Sequence, residues 1–182
     1  MSTETLALPA DDTEISDSEH AKYLTFTLDD TEFGVPILRV REIIATLPIT
    51  AVPDAPHCIR GVINLRGKVI PVMDLRMRFE LGGDSSTFER ACIIVIEVER
   101  EGRLVDVGLL VDAVQEVFVL EEDQVEASGD FRSTINAGCI SGLANSPTGI
   151  KVLIDVDTVL SESQLGLNLF ENDAPAAPSE EA

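Results

Sequence analysis

The chain has 182 residues, 45% of them hydrophobic and 25% charged, a globular composition with room for one domain of ordinary size and a sizeable core. A formal net charge of −20 repels nucleic acid and anionic membrane surfaces. Aromatics make up 4% and Trp is absent, so the core is aliphatic and a base-stacking surface has little to build on.

Residues 1–20 mix Ser, Thr, Asp and Glu with few large apolar side chains; they are expected to form a disordered acidic tail. Residues 169–182 read the same way, which leaves 21–168 as the folded domain. No basic and apolar leader follows Met1, and no apolar run approaches the ~18 residues that cross a bilayer. A cytoplasmic, reduced protein is expected, with Cys58, Cys92 and Cys139 as free thiols and Cys92 buried.

Tyr23 through Leu28 alternate as a strand, Asp29-Asp30-Thr31 turn, and Glu32 to Val35 return as a second strand. Ile37, Leu38, Val40, Ile43 and Ile44 then fall at helical spacing, with Val40 and Ile43 toward the core and Arg41 and Glu42 toward solvent. A brief strand is expected over 49–52 between Pro48 and Pro53, then a single turn over 55–59 capped by Asp54. Residues 61–75, GVINLRGKVIPVMDL, are two β-branched runs around Leu65-Arg66-Gly67-Lys68. They predict a hairpin that holds Arg66 out at its tip beside Lys68, because Gly67 reverses the chain at φ > 0 without steric cost.

The loop over 80–89 is polar. Apolar strands follow at 91–98 and 104–111, with a turn at Glu101-Gly102; a short apolar run at 113–120 leads to an acidic loop at 121–123, and Gly, Ser and Pro punctuate 128–149. Residues 150–154 form the last strand, and Asp155 or Asp157 caps a closing helix through about residue 165. A weak internal repeat runs through this order. Gly34-Val35, Val40 and Glu42-Ile43 match Gly108-Leu109, Val114 and Glu116-Val117; Gly61 with Asn64 matches Gly142 with Asn145; Asp74 and Asp155 each close a strand. Two similar β lobes are expected, joined near 80–90, with a possible crossing of the chain between them.

The chemistry-bearing candidates are few. His57-Cys58 are adjacent and point apart, which is poor geometry for a nucleophile and its base. No Cys-x-x-Cys pair exists for zinc. Gly61 to Lys68 has one residue too many for a phosphate-binding loop, and Val69 stands where Ser or Thr would hold magnesium. Asp74 and Asp155 read as strand-end caps. No cofactor and no catalysis are expected. Residues 39–78 hold seven basic and three acidic side chains, a net of +4 inside a strongly acidic chain. That segment points to a directed contact with an acidic partner, with Arg66 and Glu42 as halves of a polar recognition patch. Single-stranded nucleic acid is disfavoured, since only Phe79 lies near the basic segment.

Four blocks in order, YLTFTLDDTEFGVPILRVREII, PDAPHCIRGVINLRGKVIPVMDLR, VGLLVDAVQEV and IKVLIDVDTVL, resemble the CheW-family coupling proteins of bacterial chemotaxis over about 22–165. The resemblance implies an all-β fold with a few short helices: two similar five-stranded β-barrel lobes around a shared aliphatic core, with a C-terminal helix. It implies a stand-alone, non-catalytic adaptor joining the regulatory domain of a CheA-type histidine kinase to the cytoplasmic tip of chemoreceptors. A groove between the lobes would take the receptor's helical hairpin, and one lobe would pair with the kinase. The family's interface Arg falls on Arg66 and its Glu on Glu42, with Val40, Gly61 and Lys68 as neighbours. The long acidic tails and the polar 80–89 loop depart from a minimal member. The resemblance leaves the pathway open between flagellar, pilus-linked and other chemosensory arrays.

Overall fold

The computed structural model describes residues 20–83, 89–121, 124–127 and 139–161; both acidic tails and the far end of the expected closing helix lie outside them. The strands are β1 (His20–Leu28), β2 (Thr31–Pro36), β3 (Val40–Ala45), β4 (Ile59–Leu65), β5 (Lys68–Asp74), β6 (Cys92–Arg100), β7 (Arg103–Val111), β8 (Ala113–Glu121), β9 (Val125–Ala127), β10 (Ile140–Ser146) and β11 (Gly149–Ile154). A 3-10 turn spans Ile37–Arg39, and two short helices, α1 (Leu75–Arg78) and α2 (Val156–Ser161), follow β5 and β11.

The strands form two sheets. Lobe A has the order β8-β1-β2-β11-β10-β9 and lobe B the order β3-β6-β7-β5-β4. Lobe A thus has a sixth strand, the three-residue β9, beyond the five expected. The lobes are not the two halves of the sequence. The chain starts in lobe A, enters lobe B at the 3-10 turn, and returns to lobe A at Asp112, between β7 and β8. The expected junction at 80–90 is therefore corrected: α1 and β6 on either side of it belong to the same lobe.

The repeat acquires a physical basis. β2 pairs in parallel with β11, Gly34 opposite Leu153, and β7 pairs in parallel with β5, Gly108 opposite Val72. A Cβ on Gly34 would lie 3.1 Å from Leu153, and one on Gly108 would lie 2.7 Å from Ile93, so each glycine admits its neighbours at close range. A bulge precedes Gly61 in β4 and Gly142 in β10 alike. The amide of Asp74 donates to the carbonyl of Cys58, and that of Asp155 to the carbonyl of Cys139, both at 2.8 Å. The second half of each repeat is thus a bulged hairpin closed by the same Cys-to-Asp backbone bond.

Strand alternation sends one face of each sheet to a shared core. Leu24, Phe26, Leu28 and Val35 of lobe A meet Met73, Ile94, Ile96 and Leu109 of lobe B, all but fully buried. The opposite face of lobe B encloses Ile63, Ile70, Val72, Ile93, Val95 and Leu110. Lobe A is thinner inside, with Leu120, Ala144 and Leu153. It places Lys151, 3% exposed, where the repeat in lobe B has Ile70. Lys151 pairs with Glu32 and lies 5.1 Å from the centroid of Phe118. A buried cation without its partner is costly, whereas replacing the whole pair by apolar groups is close to neutral. Glu32→Ala should therefore destabilise the chain by about 3 kcal/mol. Adding Lys151→Ile should recover most of the loss in a urea melt; a double variant no better than the single one would contradict this account.

Local expectations fail in four places. Residues 37–44 are a 3-10 turn and a strand. The β3 ladder carries a bulge between Val40 and Glu42. Val40 lies opposite Ile96 and packs toward the shared core, while Ile44 lies opposite Ile93 and packs inside lobe B. The extra residue sets these inward side chains four apart, which imitates a helical period. Ile43, expected inside, is 44% exposed. The strand at 49–52 reduces to one bridge, Thr50 to Val62, and in place of one capped turn over 55–59 there are turns at 53–54 and 57–58, with β4 starting at Ile59. Cys92 is half-buried, whereas Cys58 and Cys139 are buried.

Candidate functional site

The β4–β5 hairpin forms as its sequence predicts, with a tighter tip. Arg66 has φ 54° and Gly67 φ 86°; two successive positive values are the signature of a type I′ turn, whose twist matches the flanking strands. Asn64 supports the turn by accepting from the Gly67 amide through Oδ1 at 2.8 Å. The left-handed backbone belongs to Arg66 as well as to Gly67.

Arg66 does not stand free at the tip. Its guanidinium donates twice to the Glu42 carboxylate, at 2.6 and 2.8 Å. The charged hydrogen bonds hold the Glu42 carboxyl below its usual range and raise Arg66 further. The same end of lobe B carries two more cations and two more carboxylates. Arg41 donates to Glu97 at 2.7 Å and lies 3.7 Å from Asp106; Lys68 lies 3.2 Å from Asp106. Glu97 and Asp106 face each other across β6 and β7, an arrangement that like charges disfavour unless cations sit beside them. The charged positions in the otherwise apolar β6 and β7 were the available signal for Glu97 and Asp106, which do not stand out in the sequence.

Of the five candidates, Arg66, Glu42 and Lys68 therefore meet in one charged rim, balanced three against three. Val40 is half-buried and turns toward the shared core. Gly61 is buried beneath the 46–58 connection: at φ 146° a Cβ would fall 2.1 Å from the carbonyl oxygen of Thr50. Its place is explained by close backbone packing.

A second feature opens between the lobes. A cavity of about 560 Å³ is lined by Leu38 and Arg39 of the 3-10 turn, Glu97 and Leu104 of the β6–β7 hairpin, and Asp157 and Thr158 of α2. Arg39 spans it, donating to both Asp157 oxygens at 3.0 and 2.6 Å and to the Glu97 carbonyl at 3.2 Å. This contact holds the Asp157 carboxyl below its usual range. Leu38, 91% exposed, and Leu104, 63% exposed, flank the opening. They are the two most exposed large apolar side chains among the described residues.

The reactive-residue candidates are structural. His57 is exposed on a turn, and burial pushes the Cys58 thiol up, away from thiolate. Asp74 and Asp155 cap the helices that follow them: Asp74 Oδ1 accepts from the Arg76 amide at 2.9 Å and Asp155 Oδ1 from the Asp157 amide at 3.0 Å. Among the described residues no three His, Cys, Asp or Glu side chains cluster as metal ligands, and no helix is long and apolar enough to cross a membrane.

The chain matches the CheW-like domain model over residues 22–164. It is 34% identical over 146 residues to the chemotaxis protein CheW of Klebsiella aerogenes, covering 80% of this chain and 85% of that protein. It is also 34% identical over 141 residues to the probable chemotaxis protein CheW of Rhizobium etli, covering 78% and 88%. The crystal structure of the scaffolding protein TtCheW from Thermoanaerobacter tengcongensis superposes with a TM-score of 0.64 at 33% identity, covering 74% of this chain and 88% of that one. With two such lobes, their crossed strands and a family match across nearly all the described residues, the chain belongs to the CheW-like family of chemotaxis proteins.

Proposed function

We propose that the chain is a non-catalytic adaptor that joins the regulatory domain of a CheA-type histidine kinase to the cytoplasmic tip of chemoreceptors. The observation that carries this reading is the presence of two exposed surfaces on one two-lobed body, adjoining at Glu97: the charged rim around Arg66 and the leucine-flanked cavity between the lobes. A helical hairpin docks by laying apolar side chains in a groove. A rigid turn presents an arginine with little entropy left to lose. Membrane association would then come through the receptors.

The test centres on Arg66. Because the Arg66–Glu42 pair is largely exposed, Arg66→Ala should leave the urea midpoint close to that of the native chain. It should weaken binding of the kinase regulatory domain or of a receptor-tip fragment by at least about tenfold. Arg66→Glu should bind worse still, since it adds repulsion. The exchange Arg66→Glu with Glu42→Arg separates two roles. It can restore the internal pair, so binding that recovers fully would make the pair a support for the loop, whereas binding that stays weak marks Arg66 as a direct contact. Native affinity of Arg66→Glu for both partners would refute the site.

A further inference from the structure

The cavity between the lobes has an occupant of suitable chemistry on the same chain. Thr158 lines the cavity, and α2 ends three residues later at Ser161. The sequence then runs Glu162-Ser163-Gln164-Leu165-Gly166-Leu167-Asn168-Leu169-Phe170. Leu165, Leu167 and Leu169 alternate with small or polar residues, and Phe170 closes the set. An extended chain covers roughly 13 Å from Ser161 to Leu165 and roughly 30 Å to Phe170, enough to reach a cavity that begins on α2 itself.

Charge selects this segment over the two acidic tails. The cavity lining holds three carboxylates, Glu97, Glu99 and Asp157, against Arg39 and Arg100. Residues 1–19 carry six acidic side chains and no basic one, and 171–182 carry four acidic and no basic. Both would be repelled. Residues 163–170 carry no charge at all and bring four large apolar side chains to an opening flanked by Leu38 and Leu104. A second copy of the chain, at −20, meets long-range repulsion, whereas a tethered segment acts at an effective concentration in the millimolar range.

We propose that residues 165–170 dock in the cavity between the lobes, against Leu38 and Leu104, and so compete with any helical partner that uses it. The competition rests on the receptor reading above; the docking does not. The experiment uses the full chain with labelled Leu methyl groups. Nuclear Overhauser contacts are expected between the Phe170 ring and the Leu38 and Leu104 methyls. The Leu38 and Leu104 signals should shift when Leu165, Leu167, Leu169 and Phe170 are all changed to Ser. These four positions lie beyond the 22–164 family match, and Leu38→Ser on the cavity side should abolish the same contacts without touching the core. Leucine signals identical in native chain and quadruple variant, with no contact to Phe170, would overturn the proposal. Shifts that grow with protein concentration would also overturn it, by placing a second copy in the cavity. The quadruple variant should bind a receptor-tip fragment about threefold tighter or more, since the competent state is no longer depleted. If the contacts appear but that affinity does not move, the docking stands and the receptor-groove reading falls.

Discussion

Gly61→Ala is expected to lower stability by about 3 kcal/mol or more, the range of overpacking combined with a strained backbone. The added Cβ would lie 2.1 Å from the Thr50 carbonyl oxygen and 2.7 Å from its carbon. That same oxygen accepts from the Val62 amide at 2.9 Å, and the Val62 carbonyl accepts from the Thr50 amide at 2.8 Å. The clash therefore breaks the bridge that holds the 46–58 connection against β4, and with it the seating of Leu47 and Ile49 on the lobe B core. The left-handed φ of 146° adds strain for any side chain. Gly67→Ala is the control. Its Cβ would meet nothing within 4 Å, so only the backbone term remains, about 1 kcal/mol. Urea melts of the two variants check this; equal losses would mean the clash relaxes without cost. Weak partner binding by Gly61→Ala would then report a displaced connection, not a lost contact.

Arg76→Ala should cost about 3–5 kcal/mol, as for other buried ion pairs that lose one partner. Arg76, 4% exposed, follows β5 in lobe B. Its Nε donates to Asp112 at 2.9 Å, one terminal nitrogen donates to Asp112 at 2.9 Å and to Asp29, and the other donates to the Gly82 carbonyl at 2.6 Å. The Asp112 hydrogen bond raises the guanidinium further above its usual range. Asp112 is the residue at which the chain returns to lobe A, and it also accepts from the Asp29 amide at 2.8 Å. One guanidinium thus joins an α1 position in lobe B, the β1–β2 turn in lobe A and the crossing between them. Removing it leaves Asp112 with a buried negative charge beside a second carboxylate. Arg76→Lys keeps the charge but not the fork, and should recover only part of the loss. A loss below about 1 kcal/mol for Arg76→Ala would show that water replaces the guanidinium freely.

How much of the site was legible follows from particular residues. Arg66 at a hairpin tip could be read from two β-branched runs and Gly67, because a two-residue turn is a local property. The sequence sets Glu42 with it in one polar patch but not as its direct ion-pair partner, since 24 positions separate the two and the bulge after Val40 decides which way Glu42 faces. Gly61 stood out as a match to Gly142 but was read as an interface neighbour. Its reason, the Thr50 carbonyl, lies in a segment whose sequence gives only prolines and a brief apolar run. Arg76 passed as one more basic residue of a +4 segment. Nothing local says that it is buried or that Asp112, 36 residues on, is its partner.

The amino-acid sequence by itself determined most of the strands, the hairpins at β1–β2, β4–β5 and β6–β7, the repeat and the Asp caps. Each depends on alternation, a turn residue or a neighbour within a few positions. Only the tertiary structure decided that β3 leaves β2 for β6 and that β8 leaves β7 for β1. A period of two states that one face of a strand is buried, but an unpaired edge offers the same hydrogen bonds to any strand that reaches it. The choice between edges is made by the side chains on both faces at once. Here they are the shared aliphatic core between the lobes and, at the two crossings, the paired charges of Arg39 with Asp157 and Arg76 with Asp112.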